Sequence, residues 1–424
     1  MANQTAFSKA SGMRKREIRK TVLDNGVRVI TERMPFVRSV SVGIWIRVGS
    51  GNESAESNGI SHFLEHMLFK GTKKRSALEI ASSLESLGGY LNGSTGREIS
   101  VFNAHILDEH IETAVDVLSD LLLNPRLASK DLDLEKSVVL AEIRHAKEDP
   151  EEMVLDLFCQ NLFPNHPLGF FIYGTESNVA GFSQKALLSH LRNQYTCDRT
   201  VFAAAGNVEH ERFVDMVTEK YQPQCSTPPS FPASPLTDDS QRSFKQEEDS
   251  LQQAHICIGG KICGYDDERK YPTVLLDVLL GGGMSSRLFQ NIREKYGFAY
   301  SVYSFTDFMA ETGLLGIYMA CAVDKVDKSI ELIRSELRKL QKNSIADNEL
   351  DRIKSQVKGN IILGMESSAR RMRQIGENES YKCQHLSLQQ LVAKVDQVTP
   401  GDLVEQARQF LDDSKLTITI LAPK

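Results

Sequence analysis

The sequence predicts an α+β protein made of two homologous αβ domains, each a mostly antiparallel sheet with helices packed on one face. Three observations carry this. A proline-crowded stretch between Tyr221 and Phe244 divides the 424 residues into two halves. Each half holds alternating apolar runs at strand period and longer amphipathic segments at helix period. The order strand, helix, helix, strand, strand, helix occurs in both, which marks an internal duplication even though local identity is low.

In the first half, Gly26, Val27, Arg28, Val29 and Ile30 and the alternating run 40–48 form strands. A glycine-bounded loop over 51–59 leads to a helix over 60–68 and a second over 76–87. Strands follow at 90–92 and 100–106, then long amphipathic helices over 109–123 and 129–146. The second half has a strand over 255–260, a helix over 271–279, a glycine turn and a helix over 286–295. Strands over 299–305 and 313–320 and helices from Val326 onward complete it. Pro223, Pro228, Pro229, Pro232 and Pro235 stand among Ser, Thr, Gln and Asp, which makes 223–244 a semi-rigid linker with no core of its own. The expected division is an N-terminal arm 1–21, a catalytic domain 22–222, the linker 223–244 and a second domain 245–424.

An apolar fraction of 41% belongs to a globular chain. At this size a core forms without metal or disulfide struts, so a metal site would be catalytic rather than structural. The formal charge of −6 argues against a dedicated nucleic-acid binder. The basic run from Arg14 to Lys20 is a solvated arm and lacks the apolar face of a transit peptide. No run has signal-peptide or membrane-spanning length, so no membrane partner is expected. Seven cysteines, widely spaced and without a CxxC pair, read as reduced and mostly buried thiols, which favours the cytoplasm. Gly281, Gly282 and Gly283 lack the spacing and lysine of a phosphate loop, and no nucleotide is expected.

The chemistry concentrates in Gly59-Ile60-Ser61-His62-Phe63-Leu64-Glu65-His66-Met67. On a helix, His62 and His66 are four apart and face one side, so both imidazoles reach one ion. Glu65 lies beside that face, placed to take a proton from a metal-activated water as general base. Two histidines hold a catalytic metal poorly; a third protein ligand is wanted, commonly an acid, with one position left for water. The helix over 132–146 offers Glu135 and Glu142, two turns apart on a largely apolar surface where carboxylates need a partner. The order His-x-x-Glu-His is itself a metallopeptidase signature.

Taken together, these residues resemble the M16 family of zinc peptidases, which includes pitrilysin, insulin-degrading enzyme, the mitochondrial processing peptidase and small bacterial relatives. The resemblance runs from about residue 22 to 420. It implies a LuxS/metallohydrolase-like fold and one Zn2+ per chain on His62, His66 and Glu142, with Glu135 as the acid that orients a ligand or tunes the metal. Asn92, Gly93 and Thr95 match an edge strand to which a peptide adds as an extra strand. Arg293 and Tyr300, seven apart, match residues that reach toward substrate and oxyanion. Glu152 and Asp156 match acids that meet an arginine of the substrate, which implies a preference for basic residues near the cut.

Relatives of this length pair into a closed chamber. The expected assembly is therefore a homodimer in which His62, Glu65, His66 and Glu142 of one subunit face Arg293 and Tyr300 of the other, admitting peptides and unfolded segments. An inactive homologous partner that supplies Arg and Tyr stays open, as does a non-catalytic structural subunit. The sequence does not separate zinc from manganese or cobalt.

Overall fold

The computed structural model describes residues 17–223, 236, 242–342 and 345–424. The first half runs β1 (Glu17–Val22), β2 (Arg28–Arg33), β3 (Ser39–Ile46), α1 (Ile60–Leu68), α2 (Ala77–Glu85), β4 (Tyr90–Thr95) and β5 (Ser100–Leu107). It continues through α3 (Ile111–Leu123), α4 (Ser129–Glu148), α5 (Pro150–Leu162), α6 (Glu176–Gly181), α7 (Gln184–Gln194), β6 (Thr200–Gly206) and α8 (His210–Lys220). The second half runs β7 (Arg242–Glu247), β8 (Ala254–Cys263), α9 (Lys270–Gly281), β9 (Ala299–Phe308), β10 (Thr312–Cys321) and α10 (Val326–Lys342). Then come α11 (Asp347–Gly364), α12 (Ser368–Ser380), α13 (Leu388–Gln397), α14 (Pro400–Phe410) and β11 (Thr417–Ala422).

The two sheets share one topology. Their strand orders are β1-β2-β6-β3-β5-β4 and β7-β11-β8-β10-β9, so the second matches the first without its outermost strand. Each is antiparallel except for one parallel pair, β2 with β6 and β7 with β11. β4 and β9 are edge strands.

Local chemistry explains the helix boundaries. Ser76 and Glu79 form a capping box at the start of α2, and Thr399 with Asp402 form another at α14, where Pro400 takes the first helical position. Asp149 closes α4 and caps α5, accepting the N–H groups of Glu151 and Glu152, so the two helices meet at a single residue.

The faces of the sheets differ from the sequence expectation of helices on one side. α3 and α1 pack on the inner face of the first sheet around Val42, Ile44, Phe63, Leu64, Phe102 and Leu118. The opposite face is covered by α12 of the second half, whose Met372 and Ile375 meet Ile30, Trp45, Val201 and Ala203. In return α5 of the first half covers the second sheet, with Val154, Phe158 and Leu162 against Cys257, Leu314, Tyr318 and Leu421. Both sheets are thus buried on two sides, which is why β3 and β6 are buried almost throughout instead of alternating. Gly376 allows the close approach of α12, because a Cβ there would lie 2.5 Å from Cε2 of Trp45.

Other differences are local. β1 lies partly inside the stretch expected to be an arm, and Lys20 on it pairs with Glu379 of α12 at 2.6 Å. β7 begins inside 223–244, most of which lies outside the described residues. The expected helix over 286–295 is a π-helical turn, Phe289–Glu294. Cys197 is disulfide-bonded, against the expectation of seven reduced cysteines, because pairing depends on proximity in space that sequence spacing hides. Cys159, Cys257, Cys263 and Cys321 are buried free thiols and Cys383 a half-buried one, while Cys225 lies outside the described residues. No helix among the described residues is long and apolar enough to cross a membrane.

Candidate metal centre

α1 is buried nearly all round, with Ile60, Phe63, Leu64, Met67 and Leu68 in the core, which fixes it rigidly in the first half. Its start is held by Glu53, a buried acid in the preceding loop. That carboxylate accepts the backbone N–H of Gly59 at 2.7 Å and of Ser61 at 2.8 Å, and the Asn58 amide at 3.1 Å. Burial pushes Glu53 up, and these three donors offset part of the rise. The Ser61 hydroxyl bonds Nε2 of His190 on α7 at 3.0 Å; burial brings His190 down to about 4, so its ring is neutral.

From this platform His62 and His66 project one turn apart, with ring centroids 4.6 Å from each other. Glu142 approaches from α4, its Oε1 3.5 Å from Nε2 of His62 and its Oε2 3.4 Å from Nε2 of His66. One ligand atom from each residue lies within 4.8 Å of the others. Glu135, two turns earlier on α4, takes Nδ1 of His66 at 2.9 Å and Nζ of Lys70 at 2.6 Å. The Glu135 bond fixes the His66 tautomer and leaves Nε2 to face Glu142.

This donor set fits a tetrahedral divalent ion. Bonds of about 2.0–2.1 Å place neighbouring ligand atoms of a tetrahedron about 3.3–3.4 Å apart. The carboxylate-to-imidazole distances of 3.5 and 3.4 Å, one from each oxygen of Glu142, are close to that edge, and with one ligand atom per residue the three lie within 4.8 Å of one another, which leaves a fourth position for water or substrate.

The electrostatics follow the same logic. The His62 ring holds Glu142 below the ordinary carboxylate range against the pull of burial. Burial works to raise Glu135, but its bonds to His66 and Lys70 win and hold it low. Burial likewise opposes a charged His66, yet Glu135, Glu65 and Glu142 together raise it. Glu65 goes the other way, raised by burial with His62, His66 and Thr95 only partly compensating. Its Oε2 accepts the Thr95 hydroxyl of β4 at 3.2 Å. A Cβ on Gly93 would sit 2.9 Å from Oε1 of Glu65 and 2.8 Å from the Phe69 ring, so one of them would have to shift.

Asn92, Gly93 and Thr95 therefore lie on an edge strand directly above the general-base candidate, with Asn92 exposed. Arg293 and Tyr300 are brought together, the guanidinium 5.0 Å from the ring centroid of Tyr300 and 4.7 Å from that of Phe289. Tyr300 is 83% exposed. Glu152 stands in the first turn of α5 and is raised by burial and by Asp156 and Asp149. Asp156 is committed internally, accepting Tyr173 Oη–H at 2.7 Å with Arg97 at 3.8 Å. Sequence reasoning missed Glu53 and Lys70. Lys70, four residues past His66, carried a usable helical signal; Glu53, in an irregular loop, carried none.

Two like α+β halves, with a His/His/Glu cluster on helices of the first, define the scaffold of a metal-dependent hydrolase. Residues 28–176 match the model of the insulinase family, peptidase family M16, and residues 181–357 match that of the M16 inactive domain. The chain belongs to the M16 family of zinc metallopeptidases. It is 35% identical over 414 residues to an uncharacterized zinc protease of Streptomyces coelicolor, covering 96% of this chain and 90% of the relative. It is 36% identical over 408 residues to the uncharacterized zinc protease YmxG of Bacillus subtilis, covering 95% and 98%. In fold it is similar to the crystal structure of a protease from Helicobacter pylori, with TM-score 0.90, 21% identity, and coverage of 96% and 100%. A chain of Complex III2 from Candida albicans has TM-score 0.82, 22% identity and 96% coverage of both. The metal cluster falls within the segment matched by the insulinase model, and the inactive-domain model begins after it.

Proposed function

We propose that the protein is a zinc-dependent endopeptidase that cuts peptides and unfolded segments, with His62, His66 and Glu142 holding the metal and Glu65 as general base. The convergence of both histidine Nε2 atoms on the Glu142 carboxylate, beneath the β4 edge, carries this reading. Zinc, when bound there, supplies a Lewis acid that polarises a carbonyl and makes water more acidic. Glu65, made more basic by burial, takes the proton from the attacking water and returns it to the leaving amine. β4 offers an extended peptide its unpaired backbone groups, which sets the chain in register over Glu65. Glu135 orients His66.

The assembly is a homodimer in which the exposed Arg293–Tyr300 stack of one subunit serves the centre of the other, where a cation and a phenol stabilise a developing oxyanion. Glu152 carries the preference for basic substrate residues, since Asp156 already has internal partners. A cytoplasmic location rests on the five free cysteines among the described residues; the disulfide at Cys197 weighs against it, and cell fractionation decides.

Wild type and Glu65→Gln are compared for bound zinc and for cleavage of an unstructured basic peptide. The proposal requires one zinc per chain in both and cleavage by wild type alone. Zinc binding without any cleavage by wild type would sink the self-sufficient protease and leave a partner-dependent or structural subunit.

A further inference from the structure

The second sheet repeats the first from β2 onward, so β9 is the counterpart of β4 and each half carries one outer hairpin, β4–β5 and β9–β10. The tips of these two hairpins meet. Glu98, in the turn 96–99, accepts the backbone N–H of Ala310, in the turn 309–311, at 2.7 Å. Its carboxylate also accepts the hydroxyl of Tyr381, the residue that closes α12. Burial raises Glu98, and these two donors with the Arg47 guanidinium offset part of the rise.

These bonds matter because β4 is soft. It pairs on one side only, with β5, and none of its residues is fully buried; half-buried Leu91 is its apolar foothold. The chain approaches it through Gly88, at φ +73°, and leaves it at Gly96. Thr95, its last residue, donates to Oε2 of Glu65 at 3.2 Å, and Glu98 follows three residues later.

Within its own half the turn is held by its backbone. Ser50 and Gly51 donate to the carbonyls of Gly96 and Arg97 at 3.2 and 2.7 Å, and Arg97 Nε donates to the Leu168 carbonyl at 3.0 Å. The link to the second half falls to Glu98. The other pair across the tips, Arg97 with half-exposed Asp307, is 4.0 Å apart, a separation at which a solvated ion pair adds little. A carboxylate taking two donors from the facing half is the stronger tie.

We propose that Glu98 is a positioning residue, through which the second half holds β4 at the height and register over Glu65 that an extended substrate needs. The coupling of β4 to the second half stands by itself; its effect on cleavage rests on the peptidase reading.

Zinc-loaded wild type, Glu98→Ala and Glu98→Gln are compared by amide hydrogen exchange over residues 90–95, by bound zinc, and by KM and kcat on the unstructured basic peptide. Glu98→Ala should speed exchange in β4 several-fold with zinc at the wild-type level, because the proposed ligands stand on α1 and α4. KM should rise several-fold with kcat nearly kept. A strand in place for only part of the time weakens apparent binding by that fraction, and saturating substrate restores it. Glu98→Gln keeps an acceptor for the Ala310 N–H and should return both readouts toward wild type.

A merely structural role would lower the melting temperature and leave β4 exchange and KM unchanged in the folded protein. That result overturns the proposal, as does a loss confined to kcat. If Glu98→Ala does not fold, Tyr381→Phe, which removes one of the two donors, should show the same changes at smaller size, and their absence overturns it equally. Faster β4 exchange beside a wild type that cleaves nothing would keep the coupling and remove the peptidase reading. Cleavage by wild type with unchanged β4 exchange in Glu98→Ala would do the reverse.

Discussion

The carboxylate of Glu53 accepts the backbone N–H of Ser61 at 2.8 Å, so an acid nine residues before His62 holds the helix of both histidines by its first turn. Two orphan donors of α1, at Gly59 and Ser61, depend on this one side chain. Glu53→Ala leaves both buried and unpaired, at about 1–3 kcal/mol each. We expect at least about 2 kcal/mol of destabilisation by urea unfolding, with Glu53→Gln milder because its amide oxygen still accepts.

Glu135 bonds Nδ1 of His66 at 2.9 Å, and in the proposed zinc site it acts on the metal through that ring. Glu135→Ala frees the ring to rotate and to change tautomer, and zinc affinity should fall about 10–100-fold, measured by competition with a chromogenic chelator. Far-ultraviolet circular dichroism should be unchanged. Removing zinc from wild type should lower its melting temperature, and the drop should be smaller in Glu135→Ala.

Glu379 on α12 joins the halves, taking Lys20 at 2.6 Å, His385 at 3.2 Å and Arg28 at 3.4 Å. Burial opposes its charge, but His385, Lys20 and Arg28 hold it below the ordinary carboxylate range. Burial also presses Arg28 below its usual value, though a guanidinium stays charged throughout this pH range. A depressed acid contributes stability above its unfolded pKa, and that contribution is lost as pH falls through the folded value. Wild type should therefore exceed Glu379→Gln in stability near neutrality by about 1–3 kcal/mol, with the gap closing below about pH 4. A gap that widens on acidification would refute the sign.

Gly376 tests the reciprocal packing. Gly376→Ala sets a Cβ against the Trp45 indole and should cost about 1–3 kcal/mol, because α12 must lift from the first sheet. Tryptophan fluorescence follows this directly, as Trp45 is the chain's one tryptophan. Since each half covers the other's sheet, fluorescence and circular dichroism should report one coincident unfolding transition. Residues 17–223 expressed alone should bind a hydrophobic dye through the bared face around Ile30 and Val201.

The metal helix was the most legible element: its apolar surround and glycine entry mark 60–68, and α1 spans Ile60–Leu68. α4 was nearly as clear, because carboxylates among Leu132, Val139 and Ile143 stand out. β6 escaped notice since Thr-Val-Phe-Ala-Ala-Ala-Gly, buried on both faces, shows no alternation. β1 and β7 are polar edge strands without a core face to reveal them. α12 is rich in arginine and glutamate, and nothing in it announces that Met372 and Ile375 reach a sheet whose strands lie about 170 to 340 residues earlier in the chain, which depends on tertiary contact alone.

The single-residue junction at Asp149 gives Glu142, the proposed third ligand, a mechanical connection. Glu142 sits seven residues before that joint, on a helix that passes almost without a break into α5, and α5 is bolted to the second sheet. The carboxylate is thus mounted on a crank whose far arm belongs to the other half, whereas the two histidines ride on the first. Any rocking of one half against the other would be read at the centre as a change in how well its third ligand is aimed.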